Sequence, residues 1–170
     1  NRAAARNARR GENEMSDFKR IFGLLTDADV EFVLIGGLSV IAHGHQRATL
    51  DVDICYARTP KNVARLAAAL APLHPRLRGA PAELKFPWDA QTLANGLNFT
   101  LVTDLGDLDL LGEVAGLGSY EDIALSAIEI ALFGCQVAML NLDQLIRSKA
   151  AAGRVKDLLD LEALRKLQSG

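Results

Sequence analysis

The sequence predicts an α/β protein, a mixed β-sheet with flanking helices and a pair of helices at the C-terminal end. Three observations carry this. Short apolar runs of strand length, such as Phe32–Ile35 and the run around Val52–Cys55, alternate with segments whose apolar residues recur at helical spacing. Residues 98–103 and 107–111, joined by a three-residue turn, read instead as neighbouring antiparallel strands, so the sheet is mixed. Beyond Leu142 the pattern is helical almost to the end. At 170 residues and 49% hydrophobic, the chain has enough apolar side chains for one core, and few of them are aromatic.

Taken in order, residues 1–14 are polar, Arg-rich and lack an apolar face, and they read as a disordered basic tail ahead of a single domain, 15–170. Ser16 is a candidate N-cap for a helix to about Asp27, with Phe18, Ile21, Phe22 and Leu25 on one face. Phe32–Ile35 is a strand ending at Gly36-Gly37. A short helical segment follows, and then a second strand carrying Asp51-Val52-Asp53. Thr59-Pro60 supplies an N-cap and a first helical residue for a helix to about Leu70, with Val63, Leu66, Ala67 and Leu70 inward. Pro72, Pro75, Gly79 and Pro81 mark a loop, after which Leu84–Phe86 reads as a short edge strand closed by Pro87. Asn98–Thr103 and Asp107–Leu111 form the hairpin around 104–106. Ser119 caps a short helix to about Ser126, with Asp122 at capping-box spacing. Residues 127–133 and 135–140, hinged at Gly134, read as a second hairpin. Leu142–Ala152 and Val155–Leu167 are helices separated at Gly153.

The formal charge of −2 hides an asymmetry. Residues 1–10 hold four arginines and no acid, leaving 15 basic and 21 acidic groups, or −6, on the remainder. So acidic a body argues against a broad nucleic-acid-binding face, and any RNA contact would be local. Cys55 and Cys135, far apart and each in an apolar run, read as buried thiols in a reducing compartment rather than a disulfide. No apolar stretch approaches the roughly 18 residues of a membrane span, and none reads as a signal peptide. A cytoplasmic protein without membrane contact is expected.

The chemistry concentrates in residues 31–56. Asp51 and Asp53 stand at i and i+2 on a strand, so their side chains share a face. Two carboxylates held that close raise each other's pKa unless a cation lies between them, and oxygen-only ligands suit a hard divalent ion such as Mg²⁺. Gly36 and Gly37 allow a ligand close to the backbone, and with the start of the next helix they offer N–H groups to phosphate. Metal-binding carboxylates beside a phosphate site suggest nucleotide chemistry.

The Gly-Gly turn, the helix and the Thr49-x-Asp51-x-Asp53 strand resemble the polymerase-beta-type nucleotidyltransferase superfamily. Arg47-Ala-Thr49-Leu-Asp51-Val-Asp53, with Lys149-x4-Arg154-x-Lys156-Asp157-x2-Asp160, is most similar to its small bacterial branch of AbiEii-type toxins. The resemblance covers roughly residues 18–167. It implies a nucleotidyltransferase fold and two Mg²⁺ ions held by two acids on one strand and a third on a later strand. Asp109, central in Leu-Asp-Leu-Leu, matches the third acid better than Asp107, which follows Gly106. The implied catalytic and metal-binding residues are Asp51, Asp53 and Asp109, with Asp109 helping to accept the proton of the attacking hydroxyl.

By the same resemblance, Gly36, Gly37, Arg47, Lys149 and Lys156 contact the NTP substrate, Lys149 at the triphosphate; the alternatives are that Arg47 neutralises the acidic cluster and that Lys156 pairs with Asp160 one turn on. Ser39 is either a phosphate ligand or an N-cap, Thr49 is a strand entry, and His43 and His45 serve either the loop or a nucleotide contact. Toxins of this branch modify tRNA or protein hydroxyls, so the implied partners are tRNA or protein and a cognate antitoxin. Transfer to a small molecule such as an antibiotic, with a second domain or partner subunit completing the acceptor pocket, is the alternative within enzymes. A non-catalytic nucleotide-binding or antitoxin-like module is the alternative outside them.

Overall fold

The structure is a computed structural model and describes residues 2–170. Its first helix, α1 (Arg2–Asp27), begins well before Ser16. The segment 1–14, expected as a disordered tail, is helical from Arg2 onward, and Asn1 lies outside the described residues. Alanine, arginine and glutamate are good helix formers, and Arg10 pairs with Glu14 one turn on at 3.0 Å. Packing begins only at Phe18, so the preceding turns remain largely exposed.

Then follow β1 (Phe32–Ile35), α2 (Gly36–Ala42), β2 (Val52–Tyr56) and α3 (Pro60–Leu70). Thr59 accepts the Asn62 N–H and caps α3 as its sequence implied. Past a 3-10 turn at Ala71–Leu73 come β3 (Arg76–Leu77), α4 (Ala90–Asn95), β4 (Asn98–Thr103) and β5 (Gly106–Leu111). The edge position expected of Leu84–Phe86 belongs to β3 instead. The later segment is a turn and loop beside Pro81 and Pro87, while Arg76 and Leu77 pair with Val102 and Leu101. A two-stranded ribbon, β6 (Glu113–Val114) with β7 (Gly118–Ser119), leads into α5 (Tyr120–Ala124), capped by the Ser119–Asp122 box. The hairpin β8 (Ile128–Leu132) and β9 (Cys135–Met139) precedes α6 (Leu142–Ala152) and α7 (Val155–Ser169), and Gly153 ends α6 at φ 66°.

Seven strands form one mixed sheet in the order β3-β4-β5-β2-β1-β9-β8. β2 runs antiparallel to β1 and parallel to β5. Because side chains alternate, β2 divides its residues between two cores. Val52, Ile54 and Tyr56 join Leu108, Leu110 and the apolar faces of α1 and α3 in the larger core. Cys55, with Val33 and Ile35, joins Ile123, Leu145 and Leu164 from α5, α6 and α7 in the smaller one. The smaller core contains no residue of β3 or β4. On that face Asn98 and Thr100 are exposed. Asp53 and Asp109 point to this face, along the line where the apolar cover ends. No helix among the described residues is long and apolar enough to cross a membrane.

Candidate active site

A cavity of about 210 Å³ opens on that line. Its strand wall carries Asp51, Asp53 and Asp109. Its corner carries Gly36 and Gly37, and its far wall carries Lys149, Arg154, Lys156 and Asp157, with Arg47 and Thr49 between. Asp53 is the register partner of Ile35 on one side and of Asp109 on the other, so the second and third carboxylates are ladder neighbours. Asp51 precedes β2 by one residue and shares the parity of Asp53.

The glycine pair is shaped by these acids. Gly36 has φ 70°, and a Cβ there would lie 2.1 Å from Asp53 Oδ2. A Cβ on Gly37 would come within 2.8 Å of Thr49 Oγ1. The Gly-Gly corner therefore makes room for the acidic strand as well as lining the cavity. Ser39 does not line it: fully buried in α2, it donates from Oγ to Gly36 O at 2.7 Å. The cap position belongs to Ile35, so the hydroxyl serves neither role expected of it.

The two walls differ in electrical state. Burial, then repulsion from Asp109 and a hydrogen bond with it, push the Asp53 carboxyl up to about 6. On the far wall Lys149 is 7% exposed, and its Nζ lies 3.1 Å from Asp157 Oδ1 and 3.0 Å from Asp160 Oδ2. Asp160 also accepts from Arg47 Nη1. Arg154 Nε donates to Asp157 Oδ2 at 2.6 Å. Burial raises the Asp157 carboxyl, but Arg154 and Lys149 outweigh it and hold the group below the ordinary carboxylate range. Lys149, expected at a triphosphate, is thus committed to α7, whereas Lys156 reaches the cavity and, among the described residues, makes no ion pair. His43 Nε2 sits 2.8 Å from Leu140 O, a loop contact.

One site residue escaped the sequence reading. Arg78, in the loop read only as Pro/Gly punctuation, donates from Nη2 to Asp109 Oδ1 at 2.7 Å. Its Nε lies 3.1 Å from Asp107 Oδ2, at ion-pair distance but not aligned for a hydrogen bond. No local signal marks it, because 31 residues separate it from Asp109. Among the described residues no three His, Cys, Asp or Glu side chains stand as a ready metal cage. Asp109 turns one oxygen to Arg78. The donor chemistry nonetheless fits a hard divalent cation: three carboxylates share one cavity wall, and repulsion from Asp109 and Asp51 adds to burial in raising Asp53.

No protein-family model matches the chain, and no curated protein matches it significantly. Solved structures do. The lincosamide antibiotic adenylyltransferase LnuA, in its lincomycin-bound crystal structure, matches with a TM-score of 0.58 and 16% identity, over 89% of this chain and 96% of that one. The antibiotic-resistance factor ANT(2'')-Ia, solved in solution, matches with a TM-score of 0.55 and 14% identity, over 91% and 89%. An antigenic nucleotidyltransferase-like protein from Paracoccidioides brasiliensis matches with a TM-score of 0.56 and 13% identity, over 92% and 77%. At such identities the likeness is one of fold, and the fold of this chain is that of nucleotidyltransferases.

Proposed function

We propose that the protein is a nucleotidyltransferase that moves a nucleoside monophosphate from an NTP to an acceptor hydroxyl. The observation that carries the reading is a single cavity with an acid-rich wall facing a cation-rich one, Asp53 and Asp109 being ladder neighbours on the acid side. Asp51, Asp53 and Asp109 are the residues that would hold divalent cations, two Mg²⁺ ions by the resemblance above. Cations bound there would supply charge neutralisation around the α-phosphate.

The chain's own groups do the rest. Lys156 and Arg154 meet the β- and γ-phosphates, and Arg47 and Lys149, tied to α7, keep that wall positive. Gly36 and Gly37 let the nucleotide approach the backbone. Asp109 accepts the proton of the acceptor hydroxyl as its oxygen bonds to the α-phosphorus. The bond from that phosphorus to the β-phosphate bridging oxygen breaks, and pyrophosphate leaves. Catalysis is positioning and charge neutralisation.

Two of the structures that share the fold are an antibiotic adenylyltransferase and an antibiotic-resistance factor, which favours a small hydroxylated acceptor. The acidic body agrees. Transfer to a tRNA or protein hydroxyl, with an antitoxin as partner, is the second reading and rests on the AbiEii-like motif. Incubation with each NTP, labelled at the α-phosphate, and pools of small hydroxylated compounds, tRNA or protein separates the two by mass shift. Asp51→Asn and Asp53→Asn should each lower Mg²⁺-dependent transfer by about a thousandfold or more. Full transfer by both variants refutes the mechanism, and NTP binding without pyrophosphate release in any pool supports a non-catalytic module.

A further inference from the structure

Arg78 is held from both ends. Its backbone N–H donates to Thr100 O at 2.9 Å, continuing the β3–β4 pairing by one residue. Its Nη2 donates to Leu101 O at 2.9 Å and to Asp109 Oδ1 at 2.7 Å. The Arg78 side chain is only 31% exposed, and among the described residues it is the one cation in ion-pair contact with Asp107 or Asp109. Two effects follow from that placement. One arm of the planar fork, Nη2, is pinned between Leu101 O and Asp109 Oδ1 and so fixes the direction of the Asp109 carboxylate, as a flexible ammonium does not. Its positive charge also offsets the repulsion among Asp51, Asp53 and Asp109, and so opposes any further cation brought to them.

We propose that Arg78 is the positioning residue of the third carboxylate, aiming Asp109 beside Asp53 at the expense of the acidic trio's affinity for divalent cations. This rests on the reading of Asp51, Asp53 and Asp109 as cation-holding residues. The two effects separate on substitution. Removing the charge strengthens cation binding, while removing the fork weakens transfer.

The test is a titration with Mn²⁺, following free Mn²⁺ by electron paramagnetic resonance, on the wild type, Arg78→Ala, Arg78→Lys and Asp53→Asn, alongside transfer kinetics. Arg78→Ala should bind Mn²⁺ about three- to tenfold tighter, with kcat down about tenfold and KM for the NTP little changed. Arg78→Lys should return Mn²⁺ affinity toward the wild type without restoring kcat, because it restores charge but not the fork. Arg78→Gln, which keeps most of the side-chain stem, repeats the Arg78→Ala measurement if that variant does not fold. Equal or weaker Mn²⁺ binding by the uncharged variants, with wild-type binding intact and lost in Asp53→Asn, overturns this inference alone. Full recovery of kcat by lysine overturns the positioning role. Absence of Mn²⁺ binding by the wild type overturns the cation reading and the inference together.

Discussion

Asp53 and Asp157 line the same cavity and both lose water to burial, yet they titrate in opposite directions. Asp53 faces another carboxylate and rises to about 6, whereas Asp157 receives Arg154 and Lys149 and falls below the ordinary range. Burial pushes both carboxyls up; at Asp53 the neighbouring carboxylate adds to it, and at Asp157 the two cations reverse it. On the helical wall the buried cation is paired, Lys149 and Arg47 converging on Asp160, and Lys156 is left over as positive charge for phosphate. The strand wall, with Arg78 alone against Asp107 and Asp109, keeps a surplus that a bound cation would relieve. The strand wall is therefore the one poised to bind a cation.

The largest effect should come from breaking the pairing on the helical wall. Asp157→Ala leaves the buried Lys149 with Asp160 as its one partner, and should cost about 3–5 kcal/mol of unfolding free energy in urea denaturation. A loss near zero would mean that Lys149 is solvated in solution. Next is the corner between the walls. Gly36→Ala meets both a left-handed backbone and the Asp53 carboxylate, and should cost about 2–3 kcal/mol and reduce transfer by displacing Asp53. Transfer unchanged by that substitution would show that the corner does not position the acid.

The smallest effect reverses sign. The folded-state pKa of Asp53, about 6, stands above its unfolded value of 3.8. Between those values the folded protein binds more protons, so stability falls as pH rises. In a cation-free buffer, Asp53→Asn should therefore be more stable than the wild type by about 2–3 kcal/mol above pH ~6. The gain should shrink through about pH 5 and vanish below pH ~4. Urea denaturation with EDTA across that range checks it, and a gap independent of pH would rule out the titration of Asp53 as its source.

The elements whose stabilising signals are local were legible. The Thr59 cap with Pro60, the Ser119–Asp122 box, the Gly153 break and both hairpins lie where the sequence puts them. The parity of Asp51 with Asp53 and of Asp107 with Asp109 was readable because side chains alternate whatever the strand pairs with. The misses have physical causes. The exposed first turns of α1 show no apolar face, and periodicity detects only helices that bury one. A two-residue strand such as β3 is too short to show alternation, so the edge went to Leu84–Phe86. Ser39 reads as a phosphate ligand or a cap until the backbone carbonyl it bonds is known.

The sequence by itself determined the α/β class, the order of nearly all the elements and which acids share a face, because each follows from spacing along a few residues. Only the tertiary structure decided that β2 pairs with β5, and hence that Asp53 and Asp109 are neighbours. It also decided that Arg78 closes on Asp109 across 31 residues and that Lys149 serves Asp157 and Asp160. Those contacts depend on how separate elements pack, and burial and the sign of the nearest charge, which set the chemistry of each carboxylate, exist only after packing.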